Sequence, residues 1–192
     1  KFKVENNLDY TPEQVVISAG AKNSLANVII SLVDRDDEVI VPSPYWVTYT
    51  ELVTLCEGKN VIIRGTFENN FKVTAKQIEN AITPKTKVLL LCSPSNPTGS
   101  VYSKDELAAI ANGVSKAYAM TGYRIGYIGA PLWLAKEVIK LQGQLLTGPA
   151  TIAQKAAAYA LEADQTCVKD MLKAFTRRKD LVIGLMRQIK DV

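Results

Sequence analysis

The amino-acid sequence predicts an α/β domain, a three-layer sandwich with helices on both faces of a mostly parallel sheet. Three observations lead there. Short apolar runs alternate with stretches of helical periodicity as far as Ala111. After about Ala130 the periodicity is helical alone. The loops that follow the apolar runs are rich in Gly, Pro, Ser and Asn, and ligands of such sheets sit at the carboxyl ends of strands.

The elements follow in order. Val15-Val16-Ile17 is a strand closing on Ser18-Ala19-Gly20. Ala21, Leu25, Val28, Ile29 and Leu32 recur at helical spacing and predict a helix over Ala21–Val33. After the polar break Asp34–Asp37, Glu38–Val41 is a second strand, stopped by Pro42-Ser43-Pro44. A helix over Tyr49–Leu55 ends near Gly58, and Asn60–Ile63 is a third strand. Thr74–Ile82 is a helix stopped by Thr83-Pro84. Val88–Cys92 is a fourth strand, entering Ser93-Pro94-Ser95-Asn96-Pro97-Thr98-Gly99. Ser103-Lys104-Asp105-Glu106 reads as a capping box opening a helix over Ser103–Ala111. Leu132–Leu145, Ala150–Ala163 and Thr166–Ile189 are the later helices. One junction breaks the rule. A doubly wound sheet returns through a strand after a helix, yet Asn112 onward reads as a Gly-rich loop, so a segment is expected to be missing between residues 111 and 112.

Composition narrows the chemistry. The 192 residues include no histidine, which removes Ser-His and Cys-His nucleophile pairs, imidazole general bases and His-ligated metals. Cys56, Cys92 and Cys167 are too scattered for a C-x-x-C metal or redox motif, so no metal site is expected. Low cysteine usage points to a reducing, cytoplasmic compartment. A net charge of +4, with the basic residues dispersed, gives nucleic-acid binding little support. No apolar run approaches the ~20 residues that span a bilayer, so no membrane partner is expected. Lys1 in first place suggests that the authentic N-terminus is absent.

Four places remain for chemistry. Gly20 leads from a strand into a helix, which exposes backbone N–H groups at a positive helix end, although an ordinary turn glycine reads the same way. Trp46, in Pro44-Tyr45-Trp46, is either a stacking surface for a planar ligand or a partly buried core residue. Asn96 offers an amide on a proline-stiffened loop, or simply begins a turn. Lys116 lies among small residues in Gly113-Val114-Ser115-Lys116-Ala117-Tyr118-Ala119-Met120-Thr121-Gly122-Tyr123-Arg124-Ile125-Gly126. Small neighbours leave room for an adduct on its amine, and a nearby cation and partial desolvation make the neutral amine a usable nucleophile. Arg124 supplies a bidentate partner for phosphate or carboxylate. Gly122, Gly126 and Gly129 do not have dinucleotide-loop spacing.

These segments together resemble the class I aminotransferases of the fold-type I pyridoxal-phosphate enzymes, most closely the bacterial-type aspartate aminotransferases. The Gly113–Gly126 segment matches the lysine-attachment signature. Ser18-Ala19-Gly20-Ala21-Lys22, Pro42–Trp46, Ala81–Lys87 and Ser93–Gly99 match in the same order. The resemblance implies a pyridoxal-phosphate-transferase-like large domain over residues 1–160. Residues 161–192 would be a helix leading toward a small domain that is largely absent. It implies pyridoxal 5'-phosphate as cofactor, amino-group transfer between an L-amino acid (aspartate or glutamate) and a 2-oxo acid, and a homodimer. Lys116 would bind the cofactor through its amine and, once freed, carry the proton between substrate and cofactor. Gly20, Ala21, Lys22, Ser115 and Arg124 would hold the phosphate. Trp46 would stack on the ring and Asn96 would bond its phenolic oxygen. Lys22 would also recognise the substrate's distal carboxylate. Gly113 stands where some members have a phosphate-binding serine.

The family also places an aspartate and a tyrosine against the cofactor on a strand between the capping-box helix and the lysine loop, and a carboxylate-binding arginine in the small domain. Neither has an equivalent here, nor does the N-terminal arm. The sequence is therefore expected to be the retained part of a longer enzyme and not competent by itself. Two alternatives stay open: another fold-type I reaction, a β-lyase or decarboxylase, and a truncated non-catalytic relative.

Overall fold

The computed structural model describes residues 2–102, 111–113 and 118–189. The β-branched runs form β1 (Val15–Ser18), β2 (Glu38–Ser43), β3 (Lys59–Arg64) and β4 (Thr86–Leu89), each overlapping its expected strand. Two further strands, β5 (Ala111–Gly113) and β6 (Gly126–Gly129), lie where the sequence shows none. The helices are α1 (Phe2–Asn6), α2 (Ala21–Leu32), α3 (Thr48–Leu55), α4 (Ala75–Ala81), α5 (Leu132–Leu145), α6 (Thr151–Glu162) and α7 (Thr166–Met186). α4 starts one residue later than expected because Thr74 is its cap. The Thr74 Oγ1 accepts from the Gln77 N–H at 3.2 Å, and the Gln77 Oε1 accepts from the Thr74 N–H at 2.9 Å. The capping box at Ser103–Glu106 lies outside the described residues.

Two expectations are corrected. Ala111 belongs to a strand, so the helix expected through Ala111 does not include it, and the stretch from Asn112 does not begin as a loop. Backbone pairing, not side-chain propensity, makes this strand: Ala111, Asn112 and Gly113 oppose Ile128, Tyr127 and Gly126. A strand also lies within the glycine-rich stretch after the lysine segment. β6 carries only Tyr127 and Ile128 between two glycines, too short for alternation to show, and its pairing with β1 defines it.

β2 pairs in parallel with β3 on one side and β4 on the other. The β2–β4 ladder extends one bond further, from the Leu90 N–H to the Ile40 carbonyl at 2.9 Å. In the second sheet β6 runs antiparallel to both β1 and β5. That sheet is covered on both faces. Val16 and Ile128 pack against Leu134, Ala135 and Val138 of α5 and Val28 and Leu32 of α2. On the other face Val15 and Tyr127 meet Phe2 of α1 and Ala153 and Ala157 of α6. The two faces follow the two-residue alternation of a strand. Over the parallel sheet, Val39 and Val41 pack with Ile29 and Val33 and with Val53 of α3. Leu32 joins two of these clusters, so α2 spans both sheets. α7 buries no side chain and carries Leu172, Phe175 and Val182 exposed. No described helix is long and apolar enough to cross a membrane.

Candidate functional site

The site begins where β1 stops. The Gly20 N–H turns back to the Ser18 carbonyl at 2.8 Å, and the Asn23 Oδ1 accepts from the Ala19 N–H at 3.3 Å. Gly20 caps α2 with φ of +90°, a conformation that side-chain-bearing residues rarely adopt. Its carbonyl accepts from the Asn23 and Ser24 N–H groups at 3.0 and 3.2 Å. Ala21 and Lys22 occupy the first turn, where helix geometry gives their N–H groups no intrahelical acceptor, and both residues are exposed. The turn therefore presents two donors without an acceptor among the described residues at the positive end of a twelve-residue helix.

Arg124 stands over this turn. A Cβ on Gly20 would lie 2.7 Å from the Arg124 Nη2 and 3.2 Å from its Cζ, so the missing side chain is what admits the guanidinium. The Arg124 Nη1 donates to the Thr121 carbonyl at 3.0 Å, which fixes the fork while the residue stays exposed. Arg124 itself holds φ of +53°. Gly126 brings the two segments together: a Cβ there would lie 2.2 Å from the Ala21 nitrogen and 2.5 Å from the Gly20 carbonyl carbon. Two amide donors, a helix end and a guanidinium thus surround one glycine turn, an arrangement whose charge and hydrogen-bonding chemistry suit an anion.

The second group lies at the ends of the parallel strands. Lys22 Nζ sits 4.7 Å from the centroid of the half-buried Trp46 ring, which joins two residues of the expected site. Tyr49 meets the same indole edge-on at 5.8 Å. The loops after β2 and β4 share one cavity, with Pro44 and Tyr45 on one side and Cys92, Ser95 and Ser100 on the other. Trp46 and Asn96 thus follow directly on residues of one cavity wall. Asn96 is exposed on a loop closed by the Ser95 N–H bond to the Ser100 carbonyl at 2.7 Å and the Gly99 N–H bond to the Ser95 carbonyl at 2.8 Å. Ser115 and Lys116 lie outside the described residues. Among the described residues no cluster of His, Cys, Asp or Glu has the makings of a metal site.

Burial raises the Tyr49 phenol well above its ordinary value, and the neighbouring Cys92 thiol adds to the shift. A raised acid contributes stability that is fully present below the unfolded value of about 10 and is lost as pH climbs above it, because only the unfolded chain ionises. Tyr49→Phe removes this term. The drop in thermal midpoint between about pH 8 and about pH 11 is expected to be smaller in the variant than in the wild type. Equal drops would show that this phenol is not held neutral by the fold.

Sequence reasoning missed two contributors. Gly126 is visible only as a glycine with no evident duty, since its close approach involves residues a hundred positions away. Gln142 is buried at 7% exposure among Leu134, Ala135 and Val138 on α5, and its signal is an amide on an otherwise apolar stripe.

Fold and cradle together define an α/β protein with a cationic, donor-rich cradle at the first strand–helix turn. Comparison with known proteins gives the family. The model for aminotransferase class I and II matches residues 1–112 and 108–192, and the chain belongs to that family. The aspartate/prephenate aminotransferase of Nitrosomonas europaea is 37% identical over 236 residues, covering 100% of this chain and 59% of that protein. The crystal structure of the aspartate aminotransferase from Rhizobium meliloti superposes with a TM-score of 0.90 at 36% identity, over 95% of this chain and 57% of that one. The aspartate aminotransferase from Thermus thermophilus with maleate gives 0.92 at 35% identity, over 96% and 59%. The chain therefore spans somewhat more than half the length of the relatives it matches.

Proposed function

We propose that this chain is the cofactor-binding part of a pyridoxal-phosphate-dependent aminotransferase acting on an L-amino acid and a 2-oxo acid, with aspartate or glutamate as amino donor. The observation that carries the reading is the Gly20 cradle. Its missing Cβ leaves room for the Arg124 guanidinium beside two open amides, which fits a phosphate monoester. Pyridoxal phosphate supplies an aldehyde carbon and an electron sink. The residues of this chain do the rest. The Ala21 and Lys22 N–H groups, the Ser115 hydroxyl and Arg124 hold the phosphate, Trp46 covers the ring, and the Asn96 amide donates to the phenolic oxygen. Lys116 anchors the cofactor and moves a proton between the substrate Cα and the cofactor C4′. With no histidine in the chain, a lysine is the natural shuttle.

Lys22 recognises the distal carboxylate of the substrate in this reading. Its contact with Trp46 is worth only about 0.5–1 kcal/mol at an exposed site, so a ring stacked on the indole displaces the ammonium at little cost and leaves it free for an acid. Maleate, a dicarboxylate, accompanies the Thermus thermophilus relative, which supports a diacid-sized substrate. We propose a cytoplasmic homodimer as the working form. We also propose that residues 1–160 are the large domain, residues 161–192 lead to a small domain, and relatives carry an extra segment at the 111/112 junction. Three findings support the last point. The family match breaks into two pieces there. The alignment to the Nitrosomonas europaea relative runs over 236 residues, 44 more than the 192 of this chain. β4 and β5 each end a three-stranded sheet.

The test is spectroscopic. Protein mixed with pyridoxal phosphate is expected to show a near-ultraviolet to visible band from the lysine-linked cofactor, removed by borohydride and absent in Lys116→Ala. A band that survives that substitution unchanged refutes the lysine assignment. A single turnover with aspartate then separates a transaminase from a mere binder.

A further inference from the structure

The cradle is held from behind by a side chain that does not belong to it. Gln142 lies on α5, with its Oε1 accepting from the Ser18 Oγ at 2.6 Å and from the Asn27 Nδ2 at 3.1 Å. Its Nε2 donates to the Ile17 carbonyl at 2.8 Å. Ser18 and Asn27 are fully buried. One amide therefore ties the last two residues of β1 to the second turn of α2, and the Ala19–Gly20 turn and the first turn of α2 lie between those ties. The rest of the buried α5 stripe is Leu134, Ala135 and Val138, so an aliphatic side chain at 142 would serve packing as well. An apolar contact, however, leaves the separation of strand end and helix start loosely defined. Directional bonds in a dry interior specify it.

We infer that Gln142 is a positioning residue for the phosphate cradle: it sets where the Ala21 and Lys22 N–H groups stand relative to Arg124. The inference rests on the phosphate reading of that cradle. Displacing donors by a few tenths of an ångström weakens charge-assisted bonds far more than it weakens ring contacts, because only the former depend steeply on distance and angle. Loss of Gln142 should therefore be felt through the phosphate and not through the pyridine ring.

The experiment compares dissociation constants for pyridoxal phosphate and for pyridoxal, which lacks the phosphate, in the wild-type chain, Gln142→Leu and Ser18→Ala. Gln142→Leu is expected to weaken pyridoxal phosphate about tenfold and pyridoxal by less than about twofold. Ser18→Ala removes a single bond from a small side chain and keeps the fold. It is expected to weaken pyridoxal phosphate about threefold, again with little effect on pyridoxal. A fall in thermal stability with the ratio of the two constants unchanged overturns the inference and leaves Gln142 a core residue. So does an equal loss for both ligands. A wild-type chain that binds the two ligands alike overturns the phosphate reading itself, a result distinct from both.

Discussion

Gly126→Ala is expected to destabilise the chain by about 3 kcal/mol, read as a lower denaturation midpoint in urea, and to remove preferential binding of phosphate-bearing ligands. The added methyl would sit 2.2 Å from the Ala21 nitrogen, 2.5 Å from the Gly20 carbonyl carbon and 2.6 Å from the Ala21 Cα. All three are backbone atoms and have no rotamer to escape into. Gly126 cannot move instead, since β6 pairs it with Ser18 on one side and Gly113 on the other. Either a ladder breaks or the first turn of α2 swings away from Arg124. Gly122→Ala is the control. It adds a methyl that meets nothing within 4 Å, so its effect should stay within about 0.5 kcal/mol. Equal midpoints for the two variants would refute the close packing of β6 against the turn.

The same contrast explains what the sequence could and could not reveal. Strands β1 to β4 announce themselves because Val, Ile and Leu cluster in them between turn residues. Helices α2, α5, α6 and α7 show the 3.6-residue period, and α5 runs over Leu132–Leu145 as expected. β5 and β6 are glycine-containing segments of three and four residues whose conformation comes from pairing with each other and, for β6, with β1 near the start of the chain. No local pattern encodes such pairing. In the site, Gly20 and Arg124 were legible as types, a glycine before a helix and a lone arginine near a lysine among small residues. Their juxtaposition needed the β1–β6 register, which sets Ser18 opposite Gly126 and so places Arg124 at the turn. Lys22 was legible only through family resemblance, and Trp46 only as either a stacking surface or a core residue. Lys22 stands in the first turn of α2 and Trp46 in the loop after β2, and only the folded chain brings them to 4.7 Å. Gln142 was hidden for a simpler reason. A single polar residue on an amphipathic helix is usually a boundary residue, and only its burial beside Ser18 and Asn27 shows otherwise.

Arg124→Asn is expected to weaken pyridoxal phosphate about 30-fold while leaving pyridoxal nearly unaffected, because a hydrogen-bonded charge pair with phosphate is worth about 1.5–3 kcal/mol. Asparagine is the informative replacement. Arg124 sits at φ of +53°, in the left-handed region, which asparagine tolerates better than most residues. The arginine is exposed, and among the described residues its side chain bonds only the Thr121 carbonyl, so the fold has little to lose. Thermal and urea midpoints should therefore match the wild type within about 0.5 kcal/mol while affinity collapses. Arg124→Lys keeps the charge but not the fork, and should recover only part of the loss. The phosphate preference thus separates from stability at this position, whereas at Gly126 the two fall together. If Arg124→Asn unfolded the chain, or bound pyridoxal phosphate as tightly as before, the guanidinium over Gly20 would be a structural prop and the cradle would have to find its charge elsewhere.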